Sequence, residues 1–269
     1  MKKTVVLAIF TLQGNGAERF ALTLAKGLVD AGHDAHIVYF KPIIDLPVPD
    51  GVQLHYFDYR RYRILPKFMR SAVACAAFDR FVMREIGMPD LVLSNLYPVD
   101  LILHKSKLPN VHFVIHSITS EEYKPISQKK LEHLKKIYQS KPCIGVSQGA
   151  AMDLKSLFGD MVSIKTIYNP IDIERIIQDS NAYLPGMENY LICVGKFKDS
   201  KRHDILIHAY AKSKKLKPLV LVGKGELQSK YQNLVNSLGL EDKVIFAGFQ
   251  KNPLSLDKAH RCNDFSIGL

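Results

Sequence analysis

The strongest constraint on this chain is a repeated exchange of short apolar runs with amphipathic helical stretches. Runs of strand length occur at Thr4 to Ile9, Ala35 to Tyr39, Leu91 to Ser94, His112 to Ile115, Cys143 to Val146 and Ile164 to Tyr168. A second series follows at Tyr190 to Val194, Leu219 to Val222 and Val244 to Ala247. Near-continuous Val, Ile and Leu marks strands buried on both faces, and parallel strands need a crossover helix between them. The pattern therefore predicts α/β architecture, with helices on both sides of parallel sheets. The stretch from Ala17 to Ala31 illustrates a crossover: Phe20, Leu24 and Leu28 share one face, and Glu18 occupies the first turn, where negative charge is favourable.

Between the two series, residues 179–189 are polar and carry the pair Pro185-Gly186, as a linker would. The expected organisation is a first domain over residues 1–178, a linker over 179–189 and a second domain over 190–269. The first series makes a complete doubly wound domain. The second has three strands, about half of such a domain, so Ile192, Val194, Leu221 and Ile245 are expected to lose part of their packing.

At 269 residues the chain is long enough for one large or two modest domains. A hydrophobic share of 47% with 23% charged residues excludes disordered, collagenous and coiled-coil classes. No apolar run approaches the roughly 18 to 20 residues of a membrane-spanning helix. Cys75, Cys143, Cys193 and Cys262 stand far apart, without the C-x-x-C spacing of zinc or redox sites, and read as reduced thiols. Met1-Lys2-Lys3 and the apolar run after it imitate a secretory signal, yet cleavage would remove the first strand of a βαβ unit. The expected compartment is cytoplasmic. Lys and Arg outnumber Asp and Glu by 37 to 26, a net charge of +11 that favours a polyanionic partner.

Chemistry-bearing residues gather at strand ends. Gly14-Asn15-Gly16-Ala17-Glu18-Arg19 joins the first strand to the first helix, where glycines let backbone approach an anion and a helix N-terminus offers free N–H groups. A dinucleotide site would want a third glycine and an acid closing the second strand; this chain has Arg19 and Lys41 there. A glycine turn without a ligand is the other reading. His116 and Ser117 follow the strand at 112–115, at the edge where parallel sheets hold ligands, so His116 would donate a hydrogen bond to a substrate hydroxyl; a purely structural histidine is the alternative. Ser147 is explained by capping a helix from Gly149 to Phe158.

In the second series, Lys196, Lys198, Lys201 and Arg202 crowd a strand-to-helix loop. Cations there oppose the helix dipole unless an anion is bound, although a solvated basic loop has the same sequence. Gly223-Lys224-Gly225-Glu226 repeats the arrangement at the next strand end, and two such loops suit a diphosphate. No Asp-x-Asp pair and no clustered His/Cys set is present, so no metal is expected. Leaving-group charge would fall to lysines and backbone amides, where two unit charges ~4 Å apart attract by ~4 kcal/mol at an effective dielectric near 20.

In order and spacing these segments resemble the retaining glycosyltransferases of family 4, two-domain GT-B enzymes. Gly14 to Arg19 looks like the family's G-G-A-E-R loop and His116-Ser117 like its acceptor-side histidine segment. Ser147-Gln148 and Tyr168-Asn-Pro-Ile-Asp172 resemble its S-x-x and N-G-V-D strand ends. Lys196 with Lys201 resembles the G-R-x-x-x-x-K clamp, Gly223 to Glu226 the G-x-G-x loop and Val244 to Phe249 the V-x-F-x-G strand.

The resemblance implies a GT-B fold of two Rossmann-like doubly wound domains, the second incomplete. It implies transfer of a hexose or N-acetylhexosamine from a UDP- or GDP-sugar to a glycan or lipid-linked glycan such as lipopolysaccharide core. No cofactor and no nucleic-acid partner is implied. In that scheme His116 is the catalytic-site residue. Lys196, Lys201, Gly14, Gly16 and Ala17 hold the donor diphosphate, and Gly223, Gly225, Glu226 and Phe249 the nucleotide. Glu18, Ser117 and Ser147 lie on the acceptor side.

Two departures qualify this. Lys196 replaces the usual Arg, keeping charge but losing the bidentate fork. The family's E-x7-E segment does not follow Gly248, and residues after Pro253 match nothing in its pattern. The expectation is a shortened member, cut by a frameshift or premature stop, with little or no transfer activity if it is the whole product. The alternative function is a nucleotide-sugar or polyanion-binding remnant that turns nothing over; an oxidoreductase is disfavoured by Arg19 and Lys41.

One further segment remains. Arg60, Arg61, Arg63, Lys67 and Arg70 have no acidic residue between them, while Tyr59, Tyr62, Leu65 and Phe68 add apolar surface. Residues 59–70 are expected either to lie on an anionic leaflet, making the protein peripheral on the inner membrane face, or to form a solvated helix face.

Overall fold

A computed structural model describes residues 1–181, 189–214 and 217–250. The chain divides into two compact units, Met1–Ile171 and Asp172–Leu269. Most of the expected linker, and the end of the chain after Gln250, lie outside the described residues.

The first unit runs β1 (Thr4–Ile9), α1 (Gly16–Asp30), β2 (Asp34–Tyr39), β3 (Gln53–Tyr56), α2 (Lys67–Glu85), β4 (Leu91–Asn95), α3 (Tyr97–Leu103), β5 (Val111–Ile115), α4 (Thr119–Glu122), α5 (Gln128–Tyr138), β6 (Cys143–Gly145), α6 (Gln148–Phe158) and β7 (Ile164–Thr166). Its sheet has the order β3-β2-β1-β4-β5-β6-β7, every pair parallel. Alternation along β1 shows why both faces are covered. Val5, Leu7 and Ile9 enter one cluster with Ala21, Leu22 and Ala25 of α1, while Val6 and Ala8 enter another with Phe78, Ile102, Ile137 and Leu154.

Every strand expected in this unit forms, with ends moved by a residue or two, and β3 is an addition. Gln53-Leu-His-Tyr56 is a short edge strand with an exposed first residue, so it lacks the continuous apolar run of a central parallel strand. It pairs with β2 from His36↔Gln53 to Tyr39↔Tyr56.

The second unit carries α7 (Ile173–Asn181), β8 (Leu191–Val194), α8 (His203–Lys212), β9 (Leu219–Val222), α9 (Gln228–Ser237) and β10 (Val244–Gly248). Its described strands form a parallel sheet of order β10-β9-β8. Central β9 is buried throughout: Leu219 and Leu221 pack with Phe197, Ile207 and Tyr231, and Val220 and Val222 with Tyr190. Leu221 is therefore fully packed, against the sequence expectation. Among the described residues the loss of packing falls on the outer strands, where Val194 is 51% and Ile245 36% exposed. No helix among the described residues is long and apolar enough to cross a membrane.

Candidate functional site

In the first sheet the winding direction reverses between β1 and β4, the point at which doubly wound sheets open a crevice at their carboxyl edge. The loop after β1 forms one side of it. Gly14 has φ +99°, which favours glycine, and space is open around Gly16 at the start of α1. The carboxylate of Glu18 is buried and used within the loop, accepting from Thr11 Oγ1 at 2.5 Å and from the Asn15 amide at 2.6 Å. Arg19, in the place of a third glycine, donates from Nε to the Gly14 carbonyl at 3.4 Å. Glu18 and Arg19 thus hold the loop in shape, while the first amides of α1, at Gly16 and Ala17, are those a helix leaves without intrahelical partners.

Across the reversal point stands Asn95, the last residue of β4 and fully buried. Its Nδ2 donates to the carbonyls of Ala8 at 3.3 Å and Leu93 at 3.1 Å, joining β4 to β1. Its Oδ1 lies 2.9 Å from His116 Nε2. The next residue, Leu96, has φ 74° and ψ 144°, a region nearly reserved for glycine and of order 1–3 kcal/mol costly for other residues. Sequence reading missed Asn95; the available signal was a polar residue ending an apolar strand.

His116 follows β5 at the same edge. Phe20 of α1 meets its ring edge-on, centroids 4.9 Å apart. Burial holds the imidazole down at about 4, so it is neutral near pH 7. Ser117 Oγ donates to the exposed Glu122 carboxylate. Ser147 caps α6 as expected, accepting from the Ala150 amide at 3.1 Å. The sheet therefore gathers the Gly14–Ala17 loop, Asn95, His116 and Ser147 at the ends of β1, β4, β5 and β6.

In the second unit the two glycine loops interlock. A Cβ on Gly223, whose φ is +151°, would fall 2.0 Å from the Gly195 carbonyl oxygen, and one on Gly225 would fall 2.3 Å from that of Phe197. The sequence assigned these glycines to a ligand; loop-on-loop contact already requires them. Gly195 N donates to Val222 O at 2.9 Å and Phe197 N to Lys224 O at 3.2 Å. Among the described residues, the amides of Lys196, Lys224 and Gly225 donate to nothing in the protein.

Lys196 and Lys201 are exposed and form no ion pair among the described residues, whereas Arg202 is tied to Asp204 at 2.9 Å. His203 is buried against Phe197, its ring nitrogens without a described partner. Glu226 is exposed, and Phe249, also exposed, lies 5.1 Å from Lys224 Nζ. Cations and unused N–H groups on one pair of loops can take up a phosphate chain.

Residues 59–70 differ from expectation. Tyr59 and Tyr62 pack inward against the core. Arg70 donates from Nη2 to the carbonyls of Arg63 and Leu65, at 2.6 and 2.9 Å, and Asp58, just outside the segment, pairs with Arg60 and Arg61. Of the expected apolar residues Phe68 is exposed (80%), and Ile64 (88%) and Met69 (44%) join it.

Comparison with known proteins agrees with this architecture. The profile described as Glycosyltransferase Family 4 matches residues 14–175, and that described as Glycosyl transferases group 1 matches residues 174–262. A Campylobacter jejuni relative, the N-acetylgalactosamine-N,N'-diacetylbacillosaminyl-diphospho-undecaprenol 4-alpha-N-acetylgalactosaminyltransferase, is 25% identical over 262 residues, covering 91% of this chain and 69% of its own. Among solved structures, Anabaena HepE in complex with UDP and glucose superposes with a TM-score of 0.69 at 19% identity, over 96% of this chain and 72% of that one. The lipopolysaccharide outer core galactosyltransferase WaaB does so at 0.67 and 17% identity, over 94% and 69%. With a family profile spanning more than half its length on a two-sheet parallel α/β framework, the chain belongs to glycosyltransferase family 4 and is a glycosyltransferase of the GT-B fold.

Proposed function

We propose that this glycosyltransferase moves a hexose or N-acetylhexosamine from a UDP- or GDP-sugar, with retention, to a glycan on a lipid carrier or lipopolysaccharide core. The carrying observation is the interlocked pair of loops at Gly195–Phe197 and Gly223–Gly225, which offers three amides, beside Lys196 and Lys201, that like those two side chains have no partner among the described residues. Such a cradle is suited to the donor diphosphate, with Glu226 and Phe249 near the nucleoside. In the reaction the bond from the anomeric carbon to the phosphate oxygen breaks. The acceptor oxygen bonds that carbon from the same face, and the hydroxyl proton passes to the departing phosphate. Lysines and amides stabilise the charge that develops there. His116, with Gly14 to Ala17 on the first unit, contacts sugar or acceptor, and Ser117 and Ser147 flank the acceptor side.

Relatives support the substrate classes: HepE was solved with UDP, and the Campylobacter enzyme is named for a diphospho-undecaprenol-linked acceptor. A lipid-linked acceptor fits a protein peripheral on the cytoplasmic face of the membrane, touching anionic lipid through Arg63 and the exposed Ile64, Phe68 and Met69. The test is incubation of the purified chain with UDP- and GDP-sugars and lipid-diphosphate glycans, the product anomer being read by NMR. An α-linked product from an α-donor is expected. Nucleotide-sugar binding without turnover on any acceptor would favour the binding-protein alternative, and absence of binding would overturn both.

A further inference from the structure

The buried amide of Asn95 fixes more than the sheet. Its Nδ2 hydrogens are committed to two carbonyls, Ala8 O and Leu93 O, which accept and cannot donate. That leaves Oδ1, an acceptor only, facing His116 Nε2 at 2.9 Å. A contact between them is a hydrogen bond only if Nε2 carries the proton. In a neutral imidazole the other nitrogen, Nδ1, then holds a lone pair, and it has no partner among the described residues.

We infer that Asn95 is a positioning residue that locks His116 in the Nε2–H tautomer, so that the imidazole presents Nδ1 to the substrate as a hydrogen-bond acceptor for a sugar or acceptor hydroxyl. The sequence reading gave His116 the opposite role, that of a donor. Three further features hold the arrangement. Phe20 packs edge-on against the imidazole and restricts its rotation. The strained backbone at Leu96 keeps the β4–α3 turn in the conformation that ends the strand at Asn95. Burial of the ring favours its neutral form, in which the two nitrogens differ in role. An acceptor nitrogen selects for a ligand group that carries a proton, so it discriminates a hydroxyl from a deoxy or methoxy position.

The inference rests on the reading of His116 as a substrate contact, and the experiment separates the two. Long-range proton–nitrogen correlation spectra of the isotope-labelled full chain report each histidine's tautomer, and the His116 signals are identified by their loss in His116→Gln. Wild-type protein near neutral pH is expected to show protonated Nε2 and bare Nδ1. An Nδ1–H tautomer would overturn the lock without recourse to any variant.

Addition of UDP-glucose or UDP-N-acetylglucosamine, with a glycan acceptor, is expected to move the Nδ1 resonance. A correct tautomer with an unmoved Nδ1 would overturn the substrate contact and leave the lock standing. Asn95→Ala should give averaged signals from both tautomers and reduce kcat by about tenfold, with the nucleotide KM little changed. Added to His116→Gln, the same substitution should cost nothing further, because Asn95 acts through His116; a full additional tenfold loss would overturn that coupling.

Discussion

His36 Nδ1 and His55 Nε2 lie 3.0 Å apart across the β2–β3 pair, so one imidazole must donate to the other, and the two cannot both be charged while that bond is kept. Burial lowers the proton affinity of both; for His36 the neighbouring His55 lowers it further while Asp34 opposes, and for His55 Glu85 opposes. His116 is held down at about 4 by burial. Groups that are neutral in the fold but titrate near 6.5 when unfolded take up protons on unfolding, so stability is full above about 6.5 and falls as pH drops toward 4. His116 alone accounts for on the order of 3 kcal/mol across that window. Urea unfolding at stepped pH should show this fall, with a shallower slope in His55→Gln. A profile flat from neutrality to pH 5 would refute it.

Lys201→Ala and Lys196→Ala should each weaken UDP or GDP binding by about one to three kcal/mol, since each removes a charge-assisted contact to phosphate. Arg202→Ala should matter far less, because that guanidinium is already held by Asp204. Calorimetric titration compares the three, and equal losses would count against a specific lysine cradle.

Two glycines should respond oppositely to alanine. Gly223→Ala places a methyl 2.0 Å from the Gly195 carbonyl at a positive φ, and should cost about 2–4 kcal/mol in the second unit. Gly16→Ala meets nothing within 4 Å in a first-turn helical position, and should leave stability unchanged or raised by about 0.5–1 kcal/mol. Hydrogen exchange resolves both, and any transfer lost in Gly16→Ala would then reflect the approach of a ligand.

Phe68→Glu and Ile64→Glu should each reduce sedimentation with anionic vesicles without changing thermal stability, since both side chains project from the fold. Tyr62→Ala, which removes an inward-packed ring, should lower stability instead. Equal recovery on neutral and anionic vesicles would exclude a role for the basic residues.

Near-continuous apolar runs made most of the fold legible, because a strand buried on both faces carries few polar residues to disguise it. β3 escaped because an edge strand with His55 and an exposed Gln53 carries half that signal. The cation-rich loop was visible as a conflict with the helix dipole, and Lys196 and Lys201 are indeed unpaired among the described residues. The glycines beside it were assigned on incomplete grounds, since contact between two loops separated by some thirty positions leaves no local mark. The role of Asn95 was hidden for the same reason, since only its place as a polar residue ending an apolar strand is local, while its partners Ala8 and His116 come from β1 and from the residue after β5.

The position of Asn95 has an evolutionary consequence. One side chain staples β4 to β1 and also aims His116, so a change that altered substrate preference there would loosen the sheet at its point of reversal. Drift in specificity is thereby steered away from the strand ends and toward exposed segments, such as the stretch from Ile64 to Phe68 that leads into α2 or the exposed Ser117–Glu122 contact. Descendants of this chain that acquire new acceptors should differ there first and keep the amide at position 95.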